Sequence, residues 1–253
     1  MLQIFQVTPR IWCARRPSYL TCSYVVSAGC GLVLVDAGMD SEGRDMERLL
    51  QESFKAGPED VRAILLTHWH NDHAAGAAAV RARSSSARVH YHPADRPQLT
   101  RATARPGLRG WLADAIPEHG PLVLFKGLLG EAAPQAVEAD RLVEDGAVVE
   151  EEFEVIATPG HTPGHVSFYF RPERALFAGD ALAVVGGRVR FMARNVTPDR
   201  AEARRSMERC LEPGRPVEVL CPGHREPLVR EVGARCEEMR RYLAGGGAWP
   251  LLG

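Results

Sequence analysis

The sequence predicts an α/β fold in which two packed sheets carry helices on their outer faces. Three observations lead there. Apolar β-like runs alternate with helix-periodic segments in both halves of the chain. Gly-containing turns between β-branched runs mark antiparallel hairpins at the flanks. Finally, 253 residues with 45% hydrophobic and 25% charged side chains suit a single domain, spanning 1–253, with a large core.

The elements follow in order. "LQIFQV" and "CSYVVSA" open the chain as β-like runs, and a turn at "AGCG" leads into "LVLVDAG", a hairpin pattern. A helix then starts near Asp40 or Ser41 as N-cap, because Met46, Leu49, Leu50 and Phe54 share one face at helical spacing. Gly57-Pro58 stops it. "VRAILL" reads as a buried strand running to Thr67, and "HAAGAAAVRAR" is Ala-rich and helical. In the second half, "FEVIAT" and "VSFYF" are strands, and "ALFAG" is another that ends at Asp180. "LAVV" and "RVRFM" flank Gly186-Gly187, a hairpin signal. Helices are expected over 198–211 and 228–243, with "VEVL" as a strand between them. Residues 97–145 differ, because Pro97, Pro106, Pro117, Pro121 and Pro134 interrupt short helical pieces. This stretch reads as a helical insertion over one face. Its apolar residues, Trp111 and Phe125 among them, suit the wall of an active-site lid.

Composition excludes several classes. A net charge of −1 provides no global field favouring nucleic acid or an anionic membrane, so neither partner is expected. "MLQIFQVTPRIW" lacks the basic segment, apolar run and cleavage site of a secretory signal. No run of 18 apolar residues predicts a transmembrane helix. The six cysteines form no C-x-x-C pair, so reduced, mostly buried thiols in a cytoplasmic protein are expected, with a disulfide in the N-terminal group left open.

The chemistry concentrates in "LLTHWHNDHAAG", where His68, His70, Asp72 and His73 follow the end of a strand. One such histidine would be an ordinary surface or core residue. Four metal-capable side chains at H-x-H-x-D-H spacing are not. Three more stand downstream at strand ends or Gly-Pro turns: His161 in "TPGHTPGH", Asp180 in "FAGD" and His224 in "CPGH". Loops at one edge of a sheet can converge on a point. Five histidines and two aspartates suffice for two divalent ions with three protein ligands each and one shared carboxylate. Imidazole with carboxylate suits zinc, iron or manganese, and the absence of cysteine argues against a purely structural zinc site.

"THWHNDH", "PGHTPGH", "AGD" and "CPGH", in that order, resemble the metal motifs of the metallo-β-lactamase superfamily, over nearly the whole chain from "VLVDAG" to "CPGHREPL". The resemblance implies a four-layer αβ/βα sandwich with the site along one edge. It implies that His68, His70 and His161 hold a first metal, that Asp72, His73 and His224 hold a second, and that Asp180 bridges them. Zinc is the expected metal. Two divalent ions roughly 3.5 to 4 Å apart can share a water and lower its pKa, giving hydroxide near neutrality for attack on a carbonyl or phosphoryl centre. Asp72 is the candidate catalytic residue, carrying a proton to the leaving group. His165 reads as a loop-holding hydrogen-bond partner, and Asp36 as an orienter of a ligand histidine. His90, His92 and His119 have no assigned role beyond surface or packing.

Departures from known subgroups narrow the function. His70 stands where flavin-dependent diiron reductases usually carry Glu. Asp180 stands where true β-lactamases generally carry Cys or Ser. The segment after His224 is too short for the helical glutathione-binding region of glyoxalase II enzymes, although a thioester is still compatible. No second domain or basic exosite of the nuclease type is visible. "CPGHREPL" departs from the common Pro-Gly-His-Gly ending and leaves the wall beside His224 open. The expectation is a dinuclear metallo-hydrolase acting on a small ester, lactone or thioester as its small-molecule partner. The alternative is a mononuclear iron oxidoreductase like the persulfide dioxygenases, with β-lactamase or phosphodiesterase activity as further alternatives. A non-catalytic binding module fits least, since no ligand position is lost. A homodimer is compatible with the sequence.

Overall fold

A computed structural model of the chain describes residues 2–17, 19–101 and 135–249. Seven strands form the first sheet, in the order β1-β2-β3-β4-β5-β6-β7. They are β1 Gln3–Gln6, β2 Ile11–Arg16, β3 Thr21–Ala28, β4 Gly31–Val35, β5 Val61–Leu65, β6 Arg88–Tyr91 and β7 Arg141–Leu142. The first four pair antiparallel, and β4 to β7 run parallel. The second sheet holds β8 Val148–Val149, β9 Phe153–Ala157, β10 Val166–Phe170, β11 Ala175–Gly179 and β14 Val219–Pro222, in the order β14-β11-β10-β9-β8. A separate hairpin pairs β12 Ala183–Val185 with β13 Arg188–Arg190. Its turn residues Gly186 and Gly187 take φ of 57° and 70°, as the sequence signal requires.

Every long strand is buried on both faces, and period-two alternation divides its side chains between two cores. Cys22, Tyr24 and Val26 of β3 meet Phe168, Phe170 and Phe177 between the sheets. Val25 and Leu34 face outward onto helices α1 (Arg44–Phe54), through Met46, Leu49 and Leu50, and α3 (Ala77–Arg83), through Val80. On the far side, Leu176 and Leu220 pack under α5 (Arg200–Cys210) and α6 (Val232–Ala244). The result is helix, sheet, sheet, helix: the predicted four-layer sandwich.

Local readings shift in places. The first helix begins at Arg44, not next to Asp40, yet Asp40 still accepts from the Arg44 backbone N–H at 2.9 Å. The Ala-rich helix starts earlier, as α2 (Asn71–Ala74), and breaks before α3. A short α4 (Arg96–Leu99) closes the segment after β6. Residues 102–134, including Trp111, Phe125 and His119, lie outside the described residues, and so does the lid expected there. The described end of that stretch belongs to the sandwich: β7 extends the first sheet, and Val137 and Val143 are buried. All six cysteines are unpaired. Among the described residues, no helix is long and apolar enough to cross a membrane.

Strand directions bring the motifs together. β4 and β5 run parallel in one sheet, while β9, β11 and β14 share a direction in the other, so their C-terminal ends meet at one edge. Backbone bonds close this edge: Val166 N–H donates to Thr67 O at 2.8 Å, and Cys22 N–H to Gly223 O at 2.7 Å.

Candidate metal centre

All seven predicted ligand residues lie at this edge. His68 and His70 follow β5, Asp72 and His73 occupy the first turn of α2, and His161 follows β9. Asp180 and His224 come just after β11 and β14. Their side-chain atoms form three overlapping groups, His68–His70–His161, His68–His73–Asp180 and Asp72–His73–His224, each with donor atoms within 4.8 Å of one another. Asp180 lies between the outer two groups, its Oδ2 3.3 Å from both His161 Nε2 and His224 Nε2.

The donor set fits a cation. His70 Nδ1 faces His68 Nε2 at 3.1 Å and His161 Nε2 at 2.8 Å. Burial pushes His68 far below the ordinary histidine range and His70 down to about 4, so these rings are neutral. A neutral imidazole keeps one nitrogen lone pair, and with His161 Nδ1 donating outward its Nε2 lone pair faces His70, available to a cation. In the other group, burial disfavours charge on His73 and His224, but the surrounding aspartates override it. Asp72, Asp180 and Asp36 draw His73 well above its usual range, and Asp180 and Asp72 raise His224 to about 9. The buried Asp180 Oδ1 has no hydrogen-bond partner. This half of the site therefore demands positive charge, which a divalent ion supplies without protons.

Surrounding groups hold the rings. His73 Nδ1 donates to Asp36 Oδ2 at 2.8 Å, His161 Nδ1 to the Val196 carbonyl at 2.6 Å, and His224 Nδ1 to the Tyr19 carbonyl at 2.9 Å. With the outer nitrogen donating, the inner Nε2 keeps its lone pair for a metal. Asp36, in the left-handed region at φ 58°, also accepts from the Thr67 N–H at 2.8 Å. It thus plays the orienting role that the sequence suggested. His165 is not directed at a metal: its Nε2 accepts from the Asp180 N–H at 2.8 Å, and its Nδ1 donates to Thr158 Oγ1 at 2.7 Å. His165 is the expected loop holder. His90 is a packing residue, buried with Nε2 2.8 Å from Glu150 Oε1. Gly223 must lack a side chain, because a Cβ there would lie 2.3 Å from Asp180 Oδ1.

Two contributors escaped sequence reasoning. Asp95 is buried and accepts from Trp69 N–H at 3.1 Å, Thr162 Oγ1–H at 2.8 Å and Gly164 N–H at 2.8 Å. It clamps the loop of the first histidine motif to the loop of the second. Nothing in "HPADRP" marks that role, which exists only through contacts 26 to 69 residues away. Arg225 also lines the site, just after His224, at a left-handed φ of 78°. The departure from Pro-Gly-His-Gly was a signal for it, though its consequence was not readable. The metal-facing groups open into a cavity of about 560 Å³ whose further walls include Tyr19, Val185, Phe191, Met192 and Asn195.

Known proteins resemble this chain. Residues 19–224 match the family model of the metallo-beta-lactamase superfamily. "Probable metallo-hydrolase YflN" of Bacillus subtilis (strain 168) is 32% identical over 162 residues, 60% of this chain and 56% of that protein. A hydroxyacylglutathione hydrolase of Rhodopseudomonas palustris (strain HaA2) is 32% identical over 130 residues, 50% of this chain and 36% of its own. The chain thus spans about half the length, or less, of these curated relatives. Among solved structures, TTHA1623 in a di-iron-bound form has a TM-score of 0.59 at 28% identity, covering 85% of this chain and 93% of its own.

Proposed function

We propose a function on the premise that the match over residues 19–224 sets: the chain belongs to the metallo-beta-lactamase superfamily. The proposed function is metal-dependent hydrolysis of a small ester, lactone or thioester at a dinuclear centre, with zinc as the metal. One observation carries it. A single carboxylate, Asp180, stands 3.3 Å from an inward-facing nitrogen of each histidine group, the place a bridging ligand must occupy.

Bound divalent ions would supply Lewis acidity and a water of lowered pKa. The chain's own residues do the rest. His68, His70 and His161 would hold one ion, Asp72, His73 and His224 the other, and Asp180 both. Asp36 and the Val196 and Tyr19 carbonyls keep three of those rings in the binding tautomer. Asp72 accepts from Thr21 Oγ1–H at 3.2 Å through Oδ2, the oxygen that also faces His224. Its Oδ1 keeps no partner among the described residues, and this oxygen would carry the proton to the leaving group. Val185, Phe191 and Met192 form an apolar wall suited to an acyl chain. A thioester leaving group finds support in the hydroxyacylglutathione hydrolase relative.

The test is elemental analysis of protein purified without chelators, joined to assays on lactones, thioesters, simple esters and phosphodiesters. Two metals per chain with acyl hydrolysis is the expected result. A content that never exceeds one metal under replete conditions would overturn the dinuclear reading. A single iron with oxygen consumption would replace hydrolysis with an oxidoreductase.

A further inference from the structure

The metal-facing cavity has an asymmetry that the hydrolase reading leaves unused. Five of its polar lining residues are candidate ligands, His70, Asp72, His161, Asp180 and His224, and the others are Tyr19, Asn195 and Arg225. The rest of the wall is mostly apolar. One side chain on it carries a permanent positive charge, Arg225, and among the described residues no other Lys or Arg lines the cavity.

Arg225 is held in place by its backbone. Its N–H donates to Leu20 O at 2.7 Å, and its carbonyl accepts from Arg15 Nη1 at 3.2 Å and from Cys22 Sγ at 3.4 Å. A φ of 78° is natural for glycine and strained for arginine. The side chain is therefore kept against a local conformational cost. The residue is exposed, and its guanidinium forms no hydrogen bond or ion pair with any described residue. The neighbouring Glu226 is engaged by Arg15 at 2.9 Å instead. A rigid backbone, an unengaged planar cation and a place on the cavity wall beside a candidate metal ligand together describe a receptor for an anion.

We propose that Arg225 binds a carboxylate on the acyl substrate, so that the preferred substrate is an ester, lactone or thioester with a carboxylate remote from the scissile carbonyl. A monoanion suits this wall better than a phosphate dianion, because one guanidinium matches one carboxylate in charge and in its two-pronged geometry. The metal-facing groups take the reacting carbonyl, the apolar wall takes the methylene chain, and Arg225 takes the far end.

This proposal rests on the hydrolase reading, and the experiment separates the two. Metal-loaded parent, Arg225→Gly and Arg225→Lys are compared on 4-nitrophenyl butyrate and on the mono-4-nitrophenyl ester of adipic acid. Glycine fits the left-handed backbone, so Arg225→Gly is expected to melt no lower than the parent. In kcat/KM, the parent's preference for the charged over the neutral ester should fall at least about tenfold in Arg225→Gly, through KM, and less in Arg225→Lys. Calorimetric binding of the matching 4-nitroanilides, adipic and butyric, should show the same loss of preference. A preference that is absent in the parent, or unchanged in Arg225→Gly, overturns the proposal. If no ester is cleaved while the anilides still show the Arg225-dependent preference, the hydrolase reading falls and the carboxylate site stands.

Discussion

At the scale of single residues, Asp180 carries the greatest consequence. Burial alone would favour its protonated form, yet His224, His73 and His161 hold its pKa far below the ordinary carboxylate range. Its negative charge is what the two histidine groups share. Asp180→Asn keeps the shape and removes that charge, so the second ion should be lost first and turnover should fall by at least about tenfold. Metal content and steady-state rates measured on the same preparation decide it, and an unchanged stoichiometry at full rate would remove Asp180 from its proposed role. The ligand residues were legible because metal chemistry restricts the residue types so tightly. Asp36 was legible for the same reason, as a carboxylate at a strand end facing the motif. Asp95 was not. Its function lies in the three donors that the fold brings to it.

At the scale of elements, the strands hidden in the sequence were those whose composition misleads. β2, "IWCARR", ends in two arginines that suggest a surface loop. Folding gives both of them partners, Arg16 with Asp45 at 2.6 Å and Arg15 with Glu226 at 2.9 Å. β7 and β8 span two residues each, too few for any periodicity. Loops depend on such contacts even more, and the clamp at Asp95 offers a test. Asp95→Asn turns one acceptor into a donor facing other donors, at a cost of about 1–3 kcal/mol in stability. The two histidine loops then lose their common anchor, and metal affinity should fall roughly 10- to 100-fold. Burial, opposed by Thr162, Gly164 and Trp69, lifts the Asp95 pKa to about 6. An unfolded aspartate titrates near 3.9, so the folded state binds the extra proton between these values. The parent's stability advantage over Asp95→Asn should therefore shrink as pH rises from about 4.5 to 7.5. Denaturant melts at several pH values would show this, and a gap that widens over that range would reject the shift.

At the scale of the whole molecule, the site joins the two sheets at their shared edge. First-sheet residues supply His68, His70, Asp72 and His73, and second-sheet residues supply His161, Asp180 and His224. Ions bound there would cross-link the halves of the sandwich and stabilise the native state by mass action. Ions held at about 100 times their dissociation constants contribute about 2.7 kcal/mol each. In a chain of 253 residues, chelation should lower the melting midpoint by at least about 5 °C, and added zinc should restore it. A midpoint indifferent to both treatments would show that the halves hold together without metal.

The sequence alone determined the layer architecture, because alternating apolar runs can be buried only between sheets and under helices. It determined the seven metal-capable residues, because their types and spacings allow little other chemistry. Tertiary structure alone decided which of them face one another and how closely, with Asp180 Oδ2 3.3 Å from a nitrogen of each histidine group. It also decided that Asp95 ties two distant loops and that Arg225 lines the cavity with no side-chain partner among the described residues. The physical reason is range. Hydrophobic periodicity and ligand type are local properties that a linear pattern preserves. Charge neutralisation and hydrogen-bond satisfaction depend on neighbours up to 211 positions apart, the separation between Arg15 and Glu226, and only the packed sheets bring those neighbours within reach.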